Sequence, residues 1–541
     1  MINILSFLIS SVLWVQVPQW SDDWSKCAVD VPDSSCHWYI TAPDNTFGEG
    51  FDWASAPWFD ANGLSDVPSI DKQTAIQKLQ NKEAIFPGVL GFDDTVLPDV
   101  ERAVLSRHNI LLLGLRGQAK TRIARLLVHL LDEYMPIVAG SDLNDDPLQP
   151  LSRYALDLIA EKGDDTPIDW VHRDERYVEK LATPDVSVAD LIGDVDPIKA
   201  ATLKLPYSDQ RVIHFGLVPR AHRSLFVLNE LPDLQARIQV SLFNILQEGD
   251  IQIRGFKLRL PLDIQFVFTA NPEDYTNRGS IITPLKDRIE SQILTHYPKT
   301  IEIARQITSQ EAQLTPEQKE KVKVADLLEI MLEQIAFNAR ESEYIDEKSG
   351  VSARLTIAGY ENLASTAERR MLINREDSTQ ARITDFWGVV PAITGKVELV
   401  YEGEQEGSYT VAMSLLGKAI RTAFLDHFPN PDDVRPGEEK DPYGTIRTWF
   451  GAGNKLDLLN DSSDADYRKA LDGVAGLKKL VDATVNNLNE DERYLYMELV
   501  VHGLAEFDIL NKDILESSLT FRDLLANMLD EDDMFDGFND N

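Results

Sequence analysis

Three apolar runs mark the first half of the chain: Asn109–Leu113, Leu225–Leu228 and Ile264–Ala270. Each is short and ends on polar residues, the pattern of a strand buried on both faces. Between the second and third, Leu234, Ile238, Leu242, Ile245 and Leu246 fall on one stripe, which predicts a helix over Leu234–Gln247. Helical spacing also begins near Lys72 and is followed by 86-FPGVLGFDD-94, whose proline and glycines predict a loop. Buried strands alternating with amphipathic helices predict a parallel sheet covered on both faces. After about residue 300 strand signals fade and helical periods run on toward the end. No period of roughly 20–50 residues repeats, which excludes solenoids and propellers.

Composition changes this picture in two places. The 541 residues suffice for several domains, and 43% hydrophobic with 26% charged residues is ordinary for globular protein. The net charge of −36 repels phosphate backbones and anionic membrane surfaces, so no nucleic acid partner is expected. The second place is the start, 1-MINILSFLISSVLWVQVPQW-20, whose apolar core is too short and interrupted for stable membrane insertion and has no basic residue before Lys26. Six of the nine tryptophans lie within residues 1–58. An interaction strand, a poorly ordered arm and an atypical export signal all stay open for this extension. Cys27 and Cys36 lie within it too, and are expected to be free thiols in a reducing cytosol. The end, 530-DEDDMFDGFNDN-541, carries six acids and no base and is expected to be a solvated tail.

Candidate chemistry sits at the ends of the apolar runs. Directly after the first comes 114-GLRGQAKTR-122, nearly the phosphate-binding pattern G-x-x-x-x-G-K-[ST], with Ala119 in place of the second glycine. Backbone N–H groups of Gly114, Leu115, Arg116, Gly117, Gln118 and Ala119 would cradle phosphate oxygens, with Lys120 neutralising them and Thr121 holding Mg²⁺. The methyl group of Ala119 is tolerable if its backbone is near-helical. The second run ends in Asn229-Glu230, where a Walker B element has Asp-Glu. The first acid of that element meets the metal's water shell and the second orients the attacking water. Asn229 offers oxygen without charge, so the metal is expected to be held less tightly. The third run ends on Asn271, an amide suited to positioning water against the γ-phosphate. Arg288 and Arg354 follow; each alone reads as a surface ion pair, but the ordered set of five elements points to one site.

Ile85–Met371 resembles the AAA+ ATPases, and within them the MoxR and magnesium-chelatase motor-subunit families. The MoxR likeness is carried by Gly117-Gln-Ala-Lys-Thr121, because that family's loop commonly ends in Ala-Lys-Thr/Ser. The chelatase likeness is carried by 193-GDVDPIKA-200, 271-NPE-273 and Leu285-Lys-Asp-Arg288. The resemblance implies an α/β P-loop sheet with helices on both faces, an all-α lid and a helical C-terminal region. It implies ATP and Mg²⁺ as cofactors, Asn271 as first sensor, Arg288 as a finger into a neighbour's site and Arg354 as second sensor. The domains expected are an extension (1–71), an ATPase core (72–300), a lid (301–392), a helical region (393–528) and an acidic tail (529–541). A trans-acting finger requires a homo-oligomeric ring, a hexamer by the resemblance, with a von Willebrand A-domain protein as partner in trans and a cytoplasmic location.

The segment 251-IQIRGFKLRL-260 fits a hairpin turning at Gly255-Phe256, whose three bases present either a solvated face or a contact for an acidic client. The function expected is an ATP-driven motor that remodels a partner protein or drives metal insertion. Two other classes are weighed against it: a nucleotide-gated scaffold with little turnover, motivated by Asn229, and an AAA+ transcriptional regulator. The last calls for a GAFTGA loop and a basic helix pair, and the sequence contains neither.

Overall fold

The computed structural model describes residues 72–253, 256, 259–272, 280–434, 441–515 and 518–523. The N-terminal extension with its two cysteines, the acidic tail, Glu273 and the hairpin residues Arg254, Gly255, Lys257 and Leu258 lie outside them. The described residues fall into two compact units. The first runs up to Gly114 and resumes over Ala119–Thr295; the second takes Leu115–Gln118 and the chain from His296 onward.

The first unit is built on five parallel strands: β1 (Ile110–Leu113), β2 (Tyr177–Leu181), β3 (Ser224–Asn229), β4 (Ile264–Ala270) and β5 (Ser291–Leu294), in the order β5-β1-β4-β3-β2. This is the P-loop sheet that the resemblance implies. Strand alternation divides the core into two layers. Leu111, Leu113, Phe226, Leu228, Phe266 and Phe268 pack on one face; Ile110, Leu112, Leu225, Val227 and Val267 pack on the other. Side chains of this size contribute about 1.5–3 kcal/mol each when fully buried. A central strand buried on both sides is therefore mostly apolar, which is why β1, β3 and β4 read so plainly as runs, although β4 also buries Gln265 and Thr269. The helix α1 (Lys120–Leu126) starts directly after the loop that follows β1 and continues as a 3₁₀ turn, Leu127–Leu130.

The single helix expected over Leu234–Gln247 is two, Ala236–Ser241 and α2 (Phe243–Glu248), meeting at Leu242. All five stripe residues are buried. In the hairpin segment, Asp250–Gln252 pairs antiparallel with Arg259–Pro261, with Ile251 and Ile253 buried. Arg259 lies on the exposed side and is paired with Asp250 at 3.1 Å.

In the second unit, buried residues from Val322 to Phe521 form one core. Its longest helix is α3 (Arg354–Asn374). The helical character expected after residue 300 holds, with two additions among the described residues: Leu456–Leu459, Leu510–Leu515 and Ser518–Asp523 form a three-stranded antiparallel sheet, and Val322–Lys323 pairs parallel with Thr379–Gln380. Among the described residues no helix is long and apolar enough to cross a membrane.

Candidate nucleotide site

In a parallel sheet all strands end on one edge, and here that edge collects the polar residues. Leu113 of β1 pairs with Ala270 of β4, and the Gly114 N–H donates to the Ala270 carbonyl at 3.2 Å. The lysine loop therefore leaves β1 at the level where Asn271 leaves β4. On the other side of β4, Phe268 pairs with Leu228, which brings Thr269 beside Asn229. Three sequence-derived elements thus share the edge where the chain's path through the sheet reverses, the usual ligand position in open α/β sheets.

Lys120 opens α1 only 8% exposed, with its Nζ donating to the Gly114 carbonyl. An ammonium so buried keeps its charge only beside oxygen acceptors, a role that the Gly114 carbonyl fills here and that phosphate oxygens can also fill. Gly117 and Ala119 both have positive φ, +74° and +54°. The near-helical backbone expected for Ala119 is not what the structure shows. Its methyl group sits in left-handed backbone, a conformation that costs a non-glycine residue roughly 1–2 kcal/mol. Glu230, at φ +55°, is also left-handed, so the strand tip turns sharply at the candidate catalytic carboxylate.

The Asn229 side chain is fixed by its neighbours. Thr269 Oγ accepts from the Glu230 N–H at 3.2 Å and donates to Asn229 Oδ1 at 3.1 Å. Asn229 Nδ2 in turn donates to Glu179 Oε1 at 2.6 Å. The Asn271 side chain is 5% exposed, and its Oδ1 has no hydrogen-bond partner among the described residues. A buried acceptor without a partner is costly, about 1–3 kcal/mol, and is the atom a bound water or ligand would satisfy. Oxygen donors from Thr121, Glu230 and the Asn229 neighbourhood suit Mg²⁺, a hard cation that keeps several of its waters.

Arg288 is half-buried over the Phe243 ring of α2, 4.6 Å from its centroid. Its Nε donates to Gln247 Oε1 at 3.0 Å and its Nη1 to the Pro284 carbonyl at 2.6 Å. Arg354, exposed at the start of α3, belongs to the second unit, where its N–H donates to Ser352 Oγ at 3.2 Å. Leu115, Arg116, Gly117 and Gln118 belong to that unit as well. Tyr297 donates to the Arg116 carbonyl at 2.9 Å, and a Cβ built on Gly117 would stand 2.2 Å from Ser352 Oγ. Only glycine fits there, on space as well as on φ.

A cavity of about 560 Å³ opens elsewhere in the first unit, lined by Arg153, Tyr154, Lys199 and Arg211 among others, and no sequence-derived site residue lines it. Two residues of the site give no signal in the sequence. Thr269 hides inside an apolar run, where threonine reads as an ordinary strand former. Glu179 lies on β2, whose polar alternation in Tyr-Val-Glu-Lys-Leu does not look like a buried strand.

Residues 1–82 match a family model described as a disordered region of unknown function. Among solved structures, the chain is similar to the complex between subunits BchI and BchD of magnesium chelatase, based on a cryo-EM reconstruction. Identity there is 18%, over 59% of this chain and 98% of that one, with a TM-score of 0.32. It is similar to NtrX from Brucella abortus in complex with ATP at 14% identity, over 54% and 52% of the two chains, with a TM-score of 0.31. A mutant of RuvB from Thermotoga maritima is similar at 11% identity, over 66% and 77%, with a TM-score of 0.29.

Proposed function

We propose that this protein binds and hydrolyses ATP and works as a homo-oligomeric ring, coupling hydrolysis to remodelling of a partner protein or to metal insertion. One observation carries the nucleotide part. The lysine loop, the Asn229-Glu230 tip and the unbonded oxygen of Asn271 converge on one edge of one sheet. In this proposal Lys120 neutralises the β- and γ-phosphates, while Thr121 and the Asn229 side of the site face Mg²⁺. The metal, when bound, offsets phosphate charge and orients the triphosphate. Glu230 accepts a proton from the attacking water as general base, and Asn271 Oδ1 accepts a hydrogen bond that holds that water in line. Arg288 is the finger, with Nη2 carrying no bond among the described residues, and Arg354 is the second sensor.

The ring, six-membered by resemblance, its von Willebrand A-domain partner, its cytoplasmic location and the domain boundaries given above belong to the same proposal. A nucleotide-gated scaffold with little turnover is the second reading, favoured by the uncharged Asn229. Phosphate release measured against nucleotide affinity separates the two.

The test of the ring is complementation. Arg288→Ala is expected to leave ATP affinity nearly intact and cut turnover toward the lower end of the roughly 10³–10⁵ that fingers contribute in GTPases. Lys120→Ala subunits bind no ATP but keep their own finger, so mixing them in excess with Arg288→Ala subunits is expected to restore part of the activity. Mixed rings that stay inactive would show Arg288 acting within its own subunit.

A further inference from the structure

Asn229 stands where the Walker B pattern has an aspartate, and from the sequence that is a charge lost. The structure places a carboxylate next to it. Glu179 Oε1 accepts from Asn229 Nδ2 at 2.6 Å, across the β2–β3 pair. Glu179 pairs with Val227, two residues back from the strand tip, and the longer glutamate side chain spans that distance to the Asn229 amide. Its other oxygen accepts from Arg125 Nε and Nη2 at 3.2 and 3.0 Å. Arg125 is on α1 one turn after Thr121, and residues four apart share a helix face. Glu179, paired with Val227, therefore lies on the face of the sheet that Ile123 and Ala124 of α1 cover.

The amide's orientation follows from donor counting. Thr269 Oγ takes the Glu230 N–H and passes its own proton to Asn229 Oδ1. Nδ2 is left to point at Glu179, which as a carboxylate only accepts. An aspartate at 229 would have no proton to give, and two acceptors would face each other at hydrogen-bond distance.

We propose that the acidic charge of the metal-facing wall has moved from β3 to β2: Glu179 supplies it, and residue 229 is an amide because it must donate to Glu179. This rests on the nucleotide reading above. Glu179 is then a positioning residue that acts on the metal's water shell together with Asn229. The substitution at 229 is a transposition of charge, not a loss, and the metal need not be held more weakly.

The experiment titrates Mg²⁺ against equilibrium binding of a fluorescent ATP analogue to the full chain, with thermal unfolding of each variant alongside. Glu179→Gln is expected to raise the Mg²⁺ midpoint about 10-fold or more, the scale for removing a group that supports a metal's ligands. Asn229→Asp alone is expected to lower the unfolding temperature without lowering the Mg²⁺ midpoint. The swap, Asn229→Asp with Glu179→Gln, restores one acid and one amide donor and is expected to return the midpoint to within about threefold of wild type. If Glu179→Gln fails to fold, Glu179→Asp keeps the charge but withdraws it by one methylene, and is expected to raise the midpoint too.

Three results overturn the proposal. In the first, Glu179→Gln loses stability but keeps the wild-type Mg²⁺ midpoint, which makes Glu179 a structural anchor for Arg125, Asn229 and the Tyr177 hydroxyl with no part in metal binding. In the second, Asn229→Asp with Glu179 intact lowers the midpoint, or the swap fails to restore it. In the third, wild type binds no analogue at any Mg²⁺ concentration, which removes the nucleotide reading itself and is distinct from the other two.

Discussion

Glu498 and Asn271 are both buried polar groups, one in each unit, and their surroundings treat them in opposite ways. The Glu498 carboxylate has no exposed surface and accepts from the Ile383 N–H at 3.0 Å, the Thr384 N–H at 2.9 Å, the Thr384 hydroxyl at 2.6 Å and the Tyr467 hydroxyl at 2.9 Å. Burial pushes the Glu498 carboxyl up, yet the neighbouring His502 and the Thr384 donors hold it below the ordinary carboxylate range. Nearby, the buried Arg370 donates to Asp385, Thr379, Asp464 and the Gln380 carbonyl. Asn271 instead keeps one amide oxygen buried and unbonded among the described residues. The Glu498 carboxylate has its acceptor capacity filled from within, although both ring nitrogens of the adjacent His502 have no hydrogen-bond partner among the described residues. The open oxygen of Asn271 differs in sitting at a strand tip beside the lysine loop, where it suits something that arrives from outside.

The comparison is tested most severely at Glu498. Glu498→Ala removes the acceptor shared by four donors, of which the Tyr467 hydroxyl can turn to the Tyr494 carbonyl, and is expected to cost the second unit about 3–5 kcal/mol, read by denaturant unfolding. The depressed carboxyl gives the pH sign. Its contribution is fully present above the unfolded value of about 4.3 and is lost as pH falls through the lower folded value. Acid unfolding of the second unit below about pH 4 should therefore flatten in the variant. Asn271→Ala should act on turnover, lowering it about 10²-fold while leaving stability within about 1 kcal/mol, since no bond is broken. A stability loss matching that of Glu498→Ala would break the distinction. The smallest effect expected is at Ala119. Ala119→Gly relieves left-handed strain but loosens the unfolded chain, for a net gain of up to about 1 kcal/mol in thermal stability with ATP affinity unchanged.

How much of this was legible depended on burial. β1, β3 and β4 are covered on both faces, so their sequences are mostly apolar, with Gln265 and Thr269 as the polar members of β4, and their polar ends, Lys120, Asn229-Glu230 and Asn271, could be recognised as strand tips. The edge strands β2 and β5, Tyr-Val-Glu-Lys-Leu and Ser-Gln-Ile-Leu, carry half-exposed polar positions and look like loops. Missing β2 meant missing Glu179, because its meeting with Asn229 exists only through parallel pairing across some fifty residues of chain. Ala119 misled for a different reason: local propensity assigns alanine to right-handed backbone, and the loop overrides that preference. The break at Leu242 left no trace in the stripe, since both short helices keep the same face inward.

The pairing of Leu113 with Ala270 has a consequence for how this protein can change over generations. Losing or gaining one residue inside β4 would turn Phe266 and Phe268 into the opposite layer and carry Asn271 away from the lysine loop in the same step. Insertions and deletions there are thus lethal to fold and chemistry together and would be removed by selection at once. Substitution at the strand tips is the only gradual route left. On the proposed function, a descendant that had given up hydrolysis would still fold on this sheet, and the change would show as single replacements at Lys120, Glu230 or Asn271.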